Sequence, residues 1–206
     1  MYVAKTDSLR NSDSFRDMLD SIKTPFDECI RILCENMELD PYFAEFYYWA
    51  KENNVPIVVL SSGMVPIIHS LLVKLLGHEP DNIQIVANDV RSRDGKDINT
   101  EGGWEIVYHD DRYVFRYESS PALWKFTDFC IVLCNSHFGH DKSLEIKPYA
   151  ELPAEMRPTL FYAGDGVSDL SAASQTDLLF AKKGHGELST LIINSLNTLM
   201  HKNDVS

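Results

Sequence analysis

Thr159-Leu160-Phe161-Tyr162-Ala163-Gly164-Asp165-Gly166-Val167-Ser168-Asp169 decides how this chain reads. An apolar run of strand length meets a glycine turn that sets two carboxylates, Asp165 and Asp169, four residues apart. The glycines permit backbone geometry that other residues resist, and strand-to-helix crossings of this type open at the carboxyl edge of a parallel sheet, where ligands collect. Beyond the turn, Leu170 to Ala173 begins a helix, and Asp177-Leu178-Leu179-Phe180-Ala181 makes a last core strand.

Upstream, the same alternation repeats. Val55-Pro56-Ile57-Val58-Val59-Leu60 is a β-branched run ending in Ser61-Ser62-Gly63, after which Ile67, Ile68, Leu71, Leu72 and Leu75 recur with helical spacing. Ile83-Gln84-Ile85-Val86-Ala87 and Trp104-Glu105-Ile106-Val107-Tyr108 are two more strands, separated by a Gly- and Asp-rich segment from Arg93 to Gly103 that suits a hairpin or an excursion. Strands alternating with helices predict an α/β fold with a mostly parallel, doubly wound sheet.

From about Asp13 to Asn53 the chain reads as helices. Phe15, Met18, Leu19 and Ile22 share one helical face; Ile30, Leu33, Cys34 and Met37 share another, with Thr24-Pro25 breaking between them. A further helix starts near Asp40-Pro41, with proline at an early helical position, and carries Phe43, Phe46, Tyr47 and Trp49 as core packing rather than a ligand box. Residues 1–53 are therefore assigned to an amino-terminal helical region and 54–206 to the core.

Composition narrows the function classes. A chain of 206 residues with 44% apolar content can bury one α/β core and a small appended helical unit. A formal net charge of -12 disfavours nucleic acid and anionic membrane as partners, since both would be repelled by the average surface. Cys29, Cys34, Cys130 and Cys134 form no CxxC pair and follow no cleavable signal, which points to reduced thiols and a cytoplasmic location rather than a disulfide framework or a zinc knuckle. The longest apolar run, around Phe129 to Cys134, falls far short of the roughly 20 residues of a membrane helix.

Three polar clusters, Ser61-Ser62-Gly63, then Gly139-His140-Asp141-Lys142-Ser143, then Gly164-Asp165-Gly166-Val167-Ser168-Asp169-Leu170-Ser171-Ala172-Ala173, resemble the second, third and fourth motifs of the haloacid dehalogenase (HAD) phosphatase superfamily, in the same order. The flavour is similar to the phosphoserine phosphatase group and, more closely, to the methionine-salvage diketo-methylthiopentyl phosphate phosphatases. The resemblance covers most of residues 13–198. It implies a Rossmann-like core with a small helical cap, acting on a small phosphorylated metabolite with Mg2+ as cofactor.

The chemistry of a phosphomonoester explains why such residues are used. Its non-bridging oxygens call for hydroxyl and N–H donors, a fixed cation and a divalent metal. The resemblance makes Ser61 the hydroxyl, with the Ser62-Gly63 backbone at a helix N-terminus as the anion-holding turn; a serine after a strand also serves simply as an N-cap. Lys142 becomes the fixed cation that touches phosphate and acts in catalysis. Asp165 becomes the magnesium ligand, and Asp169 orients water or pairs with Lys142; the alternative is that both aspartates cap the following helix. His137, His140 and Asp141 lack a partner set at ligand spacing and read as structural or solvated, while Lys182-Lys183-Gly184 reads equally as a phosphate contact or a surface loop.

Two departures stand out. The resembled family carries its nucleophile in an Asp-x-Asp-x-Thr/Val motif after the first core strand, and no such motif occurs in the 206 residues; Thr6-Asp7-Ser8 is the nearest imitation and offers one acid. The core is thus expected to lack its first strand, to begin with a truncated cap region, and to leave neighbouring strands with open edges. Residues from about 112 to 136 form an atypical, aromatic-rich insertion. Their codons can spell a splice donor at Arg112-Tyr113-Val114, a branch point at Thr127-Asp128 and an acceptor at Asn135-Ser136, so the segment reads as translated intron, with a cap elaboration as the alternative. The expected activities are correspondingly three: a magnesium-dependent phosphatase inactive in this form for want of its nucleophile, a non-catalytic phosphate-binding or regulatory protein, or an unproductive translation product. Sequencing the transcript tests the intron reading, which is overturned by a message that keeps the insert codons and has no upstream Asp-x-Asp exon.

Overall fold

Pro25 lacks an amide hydrogen and takes up an extended conformation (φ -50°, ψ 145°), so a helix can start after it but not run through it. It separates a helical segment at 16–20 from α1 (Phe26–Asn36). The computed structural model describes residues 16–109, 129–135, 142–164 and 169–181. The next helix, α2 (Phe43–Glu52), begins two residues later than the proline rule suggested. Asp40 accounts for the shift: its carbonyl accepts from the Phe43 amide at 3.0 Å and its carboxylate from the Tyr42 amide at 3.0 Å, which makes Pro41-Tyr42 a turn ahead of the helix.

The remaining elements are β1 (Ile57–Met64), α3 (Val65–Leu76), β2 (Ile83–Ser92), β3 (Trp104–Val107), β4 (Phe129–Asn135), α4 (Ser143–Ala150), β5 (Thr159–Gly164), α5 (Leu170–Ala173) and β6 (Leu178–Ala181). Six strands form one sheet in the order β3-β2-β1-β4-β5-β6. Only β3 is antiparallel, joined to β2 as a hairpin around 93–103; every other neighbouring pair is parallel. This is the α/β, Rossmann-like architecture that the alternation predicted.

Among the described residues, β1 and β5 do not face the expected open edges. β4, drawn from the insertion, lies between β1 and β5, pairing Ile57 to Ser61 with Ile131 to Asn135 on one side and Phe129 to Leu133 with Thr159 to Ala163 on the other. Its sequence, Phe-Cys-Ile-Val-Leu-Cys-Asn, is apolar and β-branched at its centre, the pattern of a strand in the interior of a parallel sheet. Residues 112–128 and 136 of the insertion lie outside the described residues.

Three apolar clusters hold the layers together. One lies on the sheet, with Val58, Leu60, Val86 and Leu160 under Ile146 of α4 and Ala172 of α5. A second joins Leu19 and Phe26 to Met64, Trp104, Ile106 and Tyr108. Phe26 meets Trp104 edge-on at 5.4 Å, and the Trp104 indole N–H donates to the Thr24 carbonyl at 2.9 Å, so that the helices before residue 37 share a core with the hairpin. The third sets Tyr47 and Ala50 of α2 against Val55, Ile57 and Leu76. Of the aromatic set on α2, Tyr47 is fully buried, whereas Trp49 is 51% exposed and stacks on Phe46 at the surface instead of entering the core.

Polar ties lock α2 at the rim of this cluster. Asp81 accepts from the Tyr47 hydroxyl and from the Lys51 ammonium, each at 2.7 Å, and these two donors, the lysine first, hold its carboxyl down at about 2. An unfolded aspartate titrates near 3.9, so the pair stabilises the fold above about pH 4 and loses that contribution as pH falls toward the folded value. Asp81→Asn is accordingly expected to melt below the unsubstituted protein near neutral pH, the gap closing on acidification; thermal melts that keep the same gap through acid would show that the carboxylate is not its source.

Candidate active site at the carboxyl edge of the sheet

At the carboxyl end of β5, Tyr162 and Gly164 meet the start of α4 and of α5. Lys142, the residue preceding α4, donates from Nζ to Asp169 Oδ1 at 2.7 Å, and the Tyr162 hydroxyl donates to the same oxygen at 2.9 Å. The lysine and aspartate side chains are 1% and 0% exposed, and Tyr162 is fully buried. A buried carboxylate needs such donors, because desolvation without them would cost several kcal/mol.

Gly164 is explained by space as much as by flexibility. A Cβ at that position would lie 2.5 Å from Asp169 Oδ2 and 2.8 Å from its Cγ, so only glycine lets the carboxylate close over the strand end. Among the proposed site residues, the structure thus brings Lys142 and Asp169 into direct contact. Asp165 lies outside the described residues, as do Asp7, His137, His140, Asp141, Lys182 and Lys183.

Ser61, Ser62 and Gly63 reach the same edge on β1, separated from β5 by β4 alone and therefore about 10 Å across. β1 continues through them to Met64, the residue that precedes α3, so the three end the strand immediately ahead of that helix's N-terminus. Ser61 is not the helix cap. Its Oγ accepts from the Gly63 amide at 3.0 Å, folding the strand end on itself. Both serines are largely buried, at 8% and 5% exposure.

The β1–β2 ladder explains the turn. Leu60 pairs with Val86 and Met64 with Asn88, so β1 spends four steps where β2 spends two, and Ser61-Ser62-Gly63 bulge out of register. Asn88, fully buried, fills the gap: its Nδ2 donates to the Ser62 carbonyl at 2.8 Å, and its Oδ1 accepts from the His109 amide at 2.9 Å. The sequence reading missed Asn88. The signal was an amide residue directly after the apolar run Ile83 to Ala87, a place where asparagine is unfavourable in a strand unless its side chain has specific partners. His109 in turn lies 3.9 Å from Glu145, one helical turn after Lys142.

Gly164→Ala is expected to lower unfolding free energy by about 1–3 kcal/mol, because the added methyl collides with a carboxylate that Lys142 and Tyr162 hold in place. Urea unfolding measures this, and an unchanged midpoint would mean that Asp169 is free to move.

Comparison with known proteins agrees with this architecture. The haloacid dehalogenase-like hydrolase family matches residues 3–174. Pdp3-interacting factor 1 of Schizosaccharomyces pombe is 43% identical over 178 residues, covering 86% of this chain and 65% of that protein. The polyol phosphate phosphatase PYP1 of Saccharomyces cerevisiae is 44% identical over 177 residues, covering 82% and 61%. The 2-hydroxy-3-keto-5-methylthiopentenyl-1-phosphate phosphatase of Bacillus thuringiensis is 28% identical over 156 residues, covering 76% and 56%. The chain thus spans less than two thirds of the length of each of these relatives. A family match that covers most of the chain, on an α/β sheet of this order, makes the protein a member of the haloacid dehalogenase-like hydrolases.

Proposed function

We propose that this chain binds the phosphate group of a small phosphorylated metabolite at the carboxyl edge of its sheet, as a phosphatase-type protein, and that its 206 residues as they stand bind without turnover. The observation that carries the reading is the buried Lys142–Asp169 pair, fixed by Tyr162 at the end of β5 and lying at the same edge as the Ser61 turn. Lys142 supplies the fixed positive charge, and the Ser61 hydroxyl donates to a non-bridging oxygen. Pairing with Asp169 holds the ammonium in one place. The resemblance to a polyol phosphate phosphatase favours a small polyhydroxylated phosphomonoester as the metabolite, and the helices up to residue 53 act as the cap that selects it.

Magnesium fits the donor chemistry. Among the described residues, no three His, Cys, Asp or Glu side chains gather as a metal site, yet magnesium commonly uses one or two carboxylates and completes its shell with water and substrate oxygens. Asp165, between Gly164 and Gly166, is the carboxylate that would hold it. The ion would supply neutralisation of the phosphate oxygens.

Hydrolysis needs an oxygen nucleophile to form a bond to phosphorus while the alcohol leaves with a proton. The strand lying between the Ser61 strand and the Gly164 strand is Phe129–Asn135, and no Asp-x-Asp motif follows it or occurs elsewhere in the 206 residues. That favours binding over turnover. A location in the cytoplasm accords with this reading, and among the described residues no helix is long and apolar enough to cross a membrane.

The purified chain, titrated calorimetrically with inorganic phosphate and magnesium, is expected to bind saturably and to leave p-nitrophenyl phosphate intact. Ser61→Ala should weaken binding about tenfold, as loss of a hydrogen bond to a charged group does. Hydrolysis of p-nitrophenyl phosphate that Asp165→Asn abolishes would instead make the chain a competent phosphatase, and no phosphate binding at all would end the reading.

A further inference from the structure

We propose that Asn88 is a positioning residue of the anion site, clamping the Ser61-Ser62-Gly63 bulge and linking it to the helix that begins beside Lys142; this rests on the phosphate reading above. The bulge takes two residues more of β1 than of β2 and therefore leaves the regular ladder between Leu60 and Met64. In that interval the Asn88 side chain stands in for a strand: its Nδ2–H reaches the Ser62 carbonyl at 2.8 Å. The other end of the same amide receives the His109 N–H at 2.9 Å, and so fixes the chain where it leaves β3.

His109 then faces Glu145 at 3.9 Å in the first turn of α4, whose preceding residue is Lys142. One buried amide thus has its donor on the Ser62 carbonyl and its acceptor on the backbone amide of His109, whose ring lies beside the first turn of α4. A side chain at 0% exposure does not touch an incoming anion, so the effect of Asn88 passes through Ser62 and His109.

Asn88 has no substitute of similar shape that serves both ends. An aspartate in its place would keep an acceptor for the His109 amide but set an anion against the Ser62 carbonyl, whereas leucine would serve neither. Asn88→Asp and Asn88→Leu are each expected to weaken inorganic phosphate binding about tenfold, equivalent to about 1.4 kcal/mol, measured at low temperature where the variants are folded. Leu72→Ala, a truncation in the buried face of α3 away from the site, is the comparison: it should lower thermal stability and keep the unsubstituted affinity. In the unsubstituted protein, the Asn88 side-chain amide resonances should shift during a phosphate titration with the same midpoint as the Gly63 amide, a readout that needs no variant to fold. Unsubstituted affinity in Asn88→Asp, or an Asn88 amide that stays still while Gly63 titrates, overturns the inference. Loss of affinity in Leu72→Ala equal to that in the Asn88 variants also overturns it, as a plain stability effect. A flat titration for the unsubstituted chain overturns the phosphate reading itself, and this inference with it.

Discussion

The buried ion pair between Lys142 and Asp169 is the constraint around which the carboxyl edge is arranged. Two opposite charges almost wholly removed from water are held 2.7 Å apart, one from the residue before α4 and the other from the residue before α5. Removing either partner would strand a charge in a low-dielectric interior, a loss of roughly 3–5 kcal/mol in comparable pairs, whereas replacing both together is often tolerated. The pair therefore specifies geometry more than it adds stability. It demands the Tyr162 hydroxyl as a second donor, and it demands glycine at 164 because no other residue leaves room for the carboxylate. Those two requirements, one from β5 and one from its turn, explain why an apolar strand ends in Tyr-Ala-Gly.

Sheet continuity is the second constraint. A pair of strands as apolar as β1 and β5 could not face a gap, since their backbone amides and carbonyls would be left without partners. β4 closes that gap with parallel ladders on both sides. The same closure carries the Ser61 turn and the Gly164 turn to one edge at a fixed separation. Because β4 ends at Asn135 in register with Ser61, the middle of that edge is occupied by a strand drawn from the 112–136 segment.

Much of this was legible from residue pattern. A β-branched run placed β1, apolar runs of strand length placed β5 and β6, and helical spacing placed α3, since these signals are local and strong. That helix ends at Gly77, whose φ of 74° lies in the left-handed region. Lys142 and Asp169 were identified by motif order, and their contact is a tertiary fact that the spacing allowed but did not require. What stayed hidden depends on pairing between distant segments. The apolar run at Phe129 to Cys134 was visible, yet its place between β1 and β5 follows from which strands lacked a neighbour. The bulge at Ser61-Ser62-Gly63 looked like a strand-to-helix turn, because a register shift against β2 leaves no mark in β1 alone. Asn88 was passed over for the same reason: its role exists only once the β1–β2 register skips from Leu60 to Met64.

Charge arithmetic decides how such an edge could hold phosphate. The lysine that would attract the anion is already matched by Asp169, so together they are close to neutral at distances beyond a few ångströms. The chain around them carries a formal net charge of -12, which raises no attraction for an anion from afar. Short-range donors such as the Ser61 hydroxyl give direction but little net charge. A dianionic phosphate held there would consequently need positive charge beyond what the paired Lys142 provides, and a divalent ion bound by a carboxylate at the Gly164 turn is the economical source. The buried pair and the proposed metal thus divide the work: the pair fixes Lys142 and keeps the donors in place, and the ion would supply the rest of the field.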